Sequence, residues 1–186
     1  QIKNDSKNLT LQVFSGKVLA LQGENEKAEK VFEEVIGEIG KNTPHKEISK
    51  LATAFERENM LDYSLAVYQE ANKHAATSSM YNRNIAMIYG RQGKFDLMII
   101  SLIDIIDEDP RYLVSIQSSL SSSIDFKDDL KKIDILKSEL IKRSQANPNK
   151  TIHNEMLAWV YMLTENYNGA FIQLKAIDKK QNNDGS

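Results

Sequence analysis

One short pattern, written four times, governs what this chain can fold into. It runs apolar, small, two variable positions, aromatic, and is followed by a second set of spaced apolar positions. Ile85-Ala86-x-x-Tyr89 precedes Phe95, Met98, Leu102 and Ile105. About 72 residues on, Leu157-Ala158-x-x-Tyr161 precedes Tyr167, Ala170, Leu174 and Ile177. Earlier in the chain, Leu51-Ala52-x-x-Phe55 leads into Leu61, Ser64, Tyr68 and Ala71, and Ser15-Gly16-x-x-Leu19 leads into Ala28, Phe32 and Val35. Repetition at about 34 to 36 residues marks a solenoid, in which each unit buries its apolar face only against its neighbours. The expected fold is all-α, a single array over 1–186 with units at about 9–42, 45–78, 79–112, 113–148 and 151–184.

Each unit reads as two helices joined by a tight turn, about ten helices in five hairpins. In the third unit, Met80, Ile85, Met87 and Ile88 follow helical spacing, Gln92-Gly93 supplies the turn, and Phe95 to Ile106 resumes the helical pattern. Asp109-Pro110 ends it. Thr43-Pro44 opens the second unit, with threonine as a candidate cap and proline suited to the first helical turn. Asn147-Pro148, followed by Asn149 and Thr151 as candidate caps, punctuates the chain before the fifth unit. All three prolines fall between units.

The recurring small residue is expected to permit close approach of paired helices. Gly16, Ala52, Ala86 and Ala158 serve the first helix of a pair, and Ala28 and Ala170 the second. The aromatics Phe32, Phe55, Tyr68, Tyr89, Phe95, Tyr161 and Tyr167 then fill the seams within and between hairpins.

These residues resemble the tetratricopeptide repeat (TPR), a helix–turn–helix of about 34 residues. Ile85, Ala86, Tyr89, Gly93, Phe95 and Pro110 match it in one unit, and Leu157, Ala158, Tyr161, Tyr167, Ala170 and Leu174 in another. The resemblance covers four of the five units and implies a right-handed solenoid that binds other proteins in a concave groove. The stretches "ATAFERENMLDYSLAVYQEA" and "LAWVYMLTENYNGAFIQLKAIDKKQNNDG" look like an internal segment of long TPR proteins of Bacteroidetes-type bacteria. That similarity implies an extracytoplasmic parent. The start at Gln1 and the stop just after a complete helical unit suggest that both ends are cut.

The fourth unit departs from the pattern. Six serines fall between Ser115 and Ser123 in "SIQSSLSSSIDFKDD". Its first helix is expected to be irregular, with Val114, Ile116, Leu120 and Ile124 as a thin apolar edge. Asp125 or Ser123 then caps a second helix from about Lys127 to Ser144, with Leu130, Ile133, Leu136, Leu140 and Ile141 inward. Two readings stand for the segment: a degenerate repeat with a bend, or a flexible joint or partner contact.

Composition limits the chemistry. With 24 basic and 26 acidic residues the net charge is −2, so no global field favours nucleic acid or anionic lipid. The absence of cysteine excludes disulfides, thiol catalysis and cysteine-ligated zinc. No apolar run approaches the roughly 20 residues that span a bilayer; Leu97 to Ile103, the longest, contains Ser101. His45, His74 and His153 lie in different units, outside any zinc motif, and are expected at the surface. The acidic pairs fall at helix ends, and no phosphate loop or nucleophile elbow occurs. No catalytic residue, metal or cofactor is expected.

The remaining candidate site is the groove along the first helices. Its residues are read as Val13, Lys17 and Ala20; Lys46, Ser49, Thr53 and Arg57; Met80, Arg83, Met87 and Arg91; and Ile152, Glu155, Trp159 and Met162. The middle is basic and the far end apolar, which favours an acidic extended or helical peptide held by Arg83 and Arg91 and anchored near Trp159. The same residues also fit a merely solvated face, with Trp159 packing on a further repeat. A carboxylate clamp for chaperone tails, known in the TPR family, is not supported, because Lys17, Thr53 and Met87 stand at the corresponding faces. Three functions remain: a protein-binding scaffold, a helical-repeat RNA binder, and an element that self-associates through its terminal repeats. The slightly acidic charge counts against RNA.

Overall fold

In a computed structural model the described residues, 8–183, form ten α-helices and no strand. The candidate cut ends lie outside them. The chain divides into two compact units, one ending at Ile88 and the other beginning at Tyr89.

The first unit holds two complete hairpins: α1 (Leu9–Leu21) with α2 (Asn25–Gly37), and α3 (His45–Arg57) with α4 (Leu61–His74). First helix packs on first helix, α1 on α3, and second on second, α2 on α4. The α3 helix shows why. Ile48, Leu51, Ala52 and Phe55 recur at helical spacing and are all buried, while the intervening Lys46, Lys50, Thr53 and Arg57 stay exposed. Phe32, Phe55 and Tyr63 form one aromatic cluster across α2, α3 and α4, with ring centres 4.7 to 5.4 Å apart. Gly16 lies directly beneath it, so close that a Cβ there would overlap the Phe32 ring. The first residues of α5 (Asn82–Arg91) are latched to α4 by Asn72, which donates to Asn82 Oδ1 at 2.8 Å and accepts from the Tyr81 amide at 2.9 Å.

The second unit contains α6 (Phe95–Glu108), a 3-10 turn at Pro110–Tyr112, α7 (Leu113–Ser123), α8 (Leu130–Ala146), α9 (Ile152–Leu163) and α10 (Tyr167–Asn183). Second helices pack in order, α6 on α8, while α7 packs on α6 and α9, and α9 on α8 and α10. Its core is aliphatic: Ile99, Ile103, Ile106, Ile116, Leu120, Leu136, Leu140, Met156 and Val160 are fully buried. Burying each such side chain is worth about 1.5–3 kcal/mol.

Four hairpin turns are built alike. Gly23, Asn59, Gly93 and Glu165 have φ of 83°, 57°, 72° and 56°. In each, the amide of the next residue reaches back five positions, as from Lys94 to the Tyr89 carbonyl at 2.9 Å and from Asn166 to Tyr161 at 2.8 Å. This closes the last turn of the first helix on its own carbonyls. Glycine takes this backbone without strain, and asparagine tolerates it.

The expectations for caps and for the fourth unit need correction. Thr43 does not cap α3: its hydroxyl accepts from the Gly40 amide at 2.9 Å, and Pro44 stands just before the helix. The Thr151 hydroxyl precedes α9 but donates to Glu155 at 2.8 Å, so it caps no amide. α7 is not irregular. Ser118, Ser119, Ser122 and Ser123 each donate to the carbonyl four residues back at 2.9–3.0 Å, while Ile116 and Leu120 are fully buried. The serines turn their competing hydrogen bonds onto the helix itself. α8 begins at Leu130, later than expected, because Asp125 accepts from the Lys127 amide in a turn instead of capping. Val114, Leu130 and Ile141 are exposed, not inward. Tyr167, assigned to a seam, is also exposed, as is Leu174 of the repeat pattern, and both share the outer face of α10 with Phe171.

These serines carry a stability prediction. The double variant Ser118→Ala/Ser122→Ala is expected to stabilise the protein by about 0.5–1 kcal/mol in urea denaturation, because both sites are exposed and alanine is the better helix former. A loss of stability would mean that the hydroxyls support α7 beyond its own carbonyls.

Candidate functional site

The groove residues separate once their faces are resolved. Val13 is fully buried, because it shares the face of Gly16 that packs on α2. Lys17 sits 3.8 Å from Glu58, and Ile152 is buried. None of these three presents a free surface. Arg83, Met87 and Arg91 are exposed on successive turns of α5, and both arginines already have interaction partners.

Lys46, Ser49, Thr53 and Arg57 do come together. With Thr10 and Phe14 of α1, and with His45, Lys50 and Ala54, they line a cavity of about 530 Å³ between α1 and α3. Its α1 wall is made by Thr10 and Phe14, and none of the expected Val13, Lys17 and Ala20 lines it. Among the described residues, no carboxylate lines the cavity. His45 is held by Tyr81, with rings stacked at 5.3 Å and Nδ1 3.2 Å from the hydroxyl, and Lys50 pairs with Glu47 at 2.9 Å. Lys46 and Arg57 have no ion-pair partner among the described residues, and the hydroxyls of Thr10, Ser49 and Thr53 have no hydrogen-bond partner there. Among the described residues, the cavity therefore offers uncompensated positive charge and free hydroxyls beside the half-exposed Phe14 ring. An adjoining cavity carries Glu38 and Glu47 as well as Lys41 and Lys50 and has no such imbalance.

In the second unit, Trp159 is half-buried and packs edge-to-face on Phe126 at 5.2 Å. Met162 is exposed nearby in sequence. Phe126 also lines a cavity of about 440 Å³ with Leu130, Ile133 and Leu163, whose charged neighbours Lys127, Lys137, Asp134 and Glu165 are of both signs. The fluorescence of Trp159, the sole tryptophan, provides a test of the contact. Phe126→Ala is expected to shift its emission to the red and to cost about 1–2 kcal/mol, since an aromatic pair contributes about 0.5–1.5 kcal/mol beyond its buried area. Unchanged emission would place Trp159 in solvent.

Gly16, Ala28, Ala52, Phe55, Ala86, Ala158 and Ala170 are buried, and Tyr89 and Tyr161 are half-buried.

The histidine expectation holds for His45 and His74, which are exposed, and fails for His153, which is completely buried. Its Nε2 lies 2.5 Å from Asp107, and because a carboxylate only accepts, Nε2 carries the proton. Asp107 also receives Arg143, which reaches Asp104 and Glu139 at 2.7 Å each, and its carbonyl accepts from Lys150 at 3.1 Å. Burial works against the guanidinium's charge, but the hydrogen bonds to Glu139, Asp107 and Asp104 outweigh it and hold the Arg143 pKa above its ordinary value. The sequence does not signal this node, since its members stand far apart along the chain. With His153 sealed from solvent, it serves as a clasp between α6, α8 and α9. Among the described residues no group of three or more acidic or histidine side chains is arranged to hold a metal.

Paired helices with first-on-first and second-on-second packing define a TPR-like array of helical hairpins. No protein-family model matches the chain, and no curated protein matches it. Among solved structures, MamA AMB-1 is similar at 16% identity and a TM-score of 0.41, over 94% of this chain and 92% of that one. The MamA RS-1 ArsTM double mutant is similar at 10% identity and a TM-score of 0.39, over 96% and 97%.

Proposed function

We propose that this chain is a non-enzymatic protein-interaction scaffold that holds an acidic segment of a protein partner against the cavity between α1 and α3. The observation that carries this reading is the pair Lys46 and Arg57, uncompensated among the described residues in a cavity that no described carboxylate lines. Lys46 stands in the first turn of α3, where the positive end of the helix dipole opposes a cation. Its charge there does not help the fold, which supports a role toward a ligand. Nucleic acid is disfavoured by the net charge of −2, since affinity for a phosphate backbone comes largely from an excess of lysine and arginine that neutralises phosphates.

The double variant Lys46→Glu/Arg57→Glu is expected to lose one specific protein captured by the unaltered chain from a lysate of the source organism. Its melting should stay within about 0.5 kcal/mol of the parent, because both side chains are exposed. Retention of the same proteins would remove the cavity from the function.

A second reading, self-association through terminal hairpins, is favoured by two exposed apolar stripes: Leu11, Phe14, Val18 and Leu21 on α1, and Tyr167, Phe171 and Leu174 on α10. Size measurements over a concentration series separate the two readings.

A further inference from the structure

We propose that the cavity between α1 and α3 takes its ligand as an extended peptide with two acidic side chains four residues apart and an apolar side chain midway between them. The inference rests on the acidic-partner reading above and narrows it. Lys46 and Arg57 stand at opposite ends of α3, three helical turns apart on one face, which is about 16 Å along the axis at 1.5 Å per residue. A strand advances about 3.3 Å per residue and turns alternate side chains to one face, so acids four residues apart stand about 13 Å apart on the same face, and the long side chains of both partners cover the remaining distance. The other cations lining the cavity are already engaged, Lys50 by Glu47 and His45 by Tyr81.

The hydroxyls decide between an extended and a helical ligand. Ser49 and Thr53 of α3 and Thr10 of α1 line the stretch between the charges, without hydrogen-bond partners among the described residues. An extended peptide arrives with its own amides and carbonyls unpaired and can use them; a helix has spent its backbone groups internally. The serines of α7 show the contrast, since four of them bond back to their own helix. Phe14, which is 39% exposed on the α1 wall, and Ala54 give the middle of the ligand an apolar contact.

Fluorescence anisotropy with labelled peptides on the full chain tests this. One peptide carries glutamates four positions apart around a central leucine. A second, of the same composition, carries them two apart. A third is a locked helix with its glutamates three turns apart. The first is expected to bind at least tenfold more tightly than either of the others. Lys46→Glu and Arg57→Glu should each weaken it tenfold or more, and Thr53→Val, an exposed site, severalfold, with circular dichroism unchanged. Equal affinity for the first two peptides, both lost in the charge reversals, would overturn the spacing while leaving an acidic partner in place. Tighter binding of the locked helix would overturn the extended mode alone. Failure of all peptides to bind, or binding indifferent to both reversals, would overturn the inference together with the reading beneath it.

Discussion

Gly16→Leu lowers stability by about 3 kcal/mol in urea denaturation followed by circular dichroism, and Gly16→Ala by about 1–2 kcal/mol. The alanine result is the informative one, because helix propensity alone predicts the opposite sign: glycine inside a helix costs about 0.5–1 kcal/mol relative to alanine. Packing overrides that gain. A Cβ at this position would overlap one carbon of the Phe32 ring and stand 2.9 Å from another. The ring cannot yield easily, since it is buried and braced by Phe55 at 5.4 Å and Tyr63 at 4.7 Å. Overpacking of this kind costs about 1–3 kcal/mol, and more for a bulky side chain. At Gly37, the last residue of α2, an added Cβ would meet nothing within 4 Å, so Gly37→Ala is the control and should be neutral or slightly stabilising. If Gly16→Ala stabilises the protein as much as Gly37→Ala does, the close approach of α1 and α2 is not what the glycine serves.

Asp107→Ala destabilises the second unit by about 3 kcal/mol, read from the urea dependence of Trp159 fluorescence. The substitution leaves the His153 Nε2–H without its acceptor in a fully buried site, which by itself costs about 1–3 kcal/mol. It also removes one of three carboxylates from Arg143, a smaller loss because Asp104 and Glu139 remain. Asp104→Ala gives the comparison. That carboxylate is 42% exposed and holds no buried donor, so its loss should stay within about 1 kcal/mol. Equal effects of the two substitutions would mean that the buried imidazole contributes nothing and that the clasp is only an ion pair.

The hairpin repeat is legible because its signals are local. Small and aromatic residues three apart, a glycine at the turn and proline between units all act within one or two helical turns, and each survives translation along the chain. α7 is misread for a related reason: serine's low propensity is a property of the residue alone, whereas the helix is held by the burial of Ile116 and Leu120 against its neighbours. Half of the cavity between α1 and α3 is also legible, since Lys46, Ser49, Thr53 and Arg57 share one face by spacing. Its other wall is missed although the signal is present: Val13 is three residues from Gly16 and turns inward with it, which hands the outer face to Thr10 and Phe14. His153 offers no local signal, because its partner lies on another helix and an isolated histidine is usually solvated.

Besides its local hydrogen bonds, the connection between α7 and α8 is anchored at a distance, unlike the four turns that close on their own carbonyls: Ile124 is buried and Phe126 rests on Trp159, which belongs to α9. The four short connections draw on contacts between residues close along the chain, and such contacts form early and fast in a folding reaction. The α7–α8 connection has to wait for a later helix, so the serine-rich hairpin should be the last to order as the chain folds and the first to loosen as it unfolds.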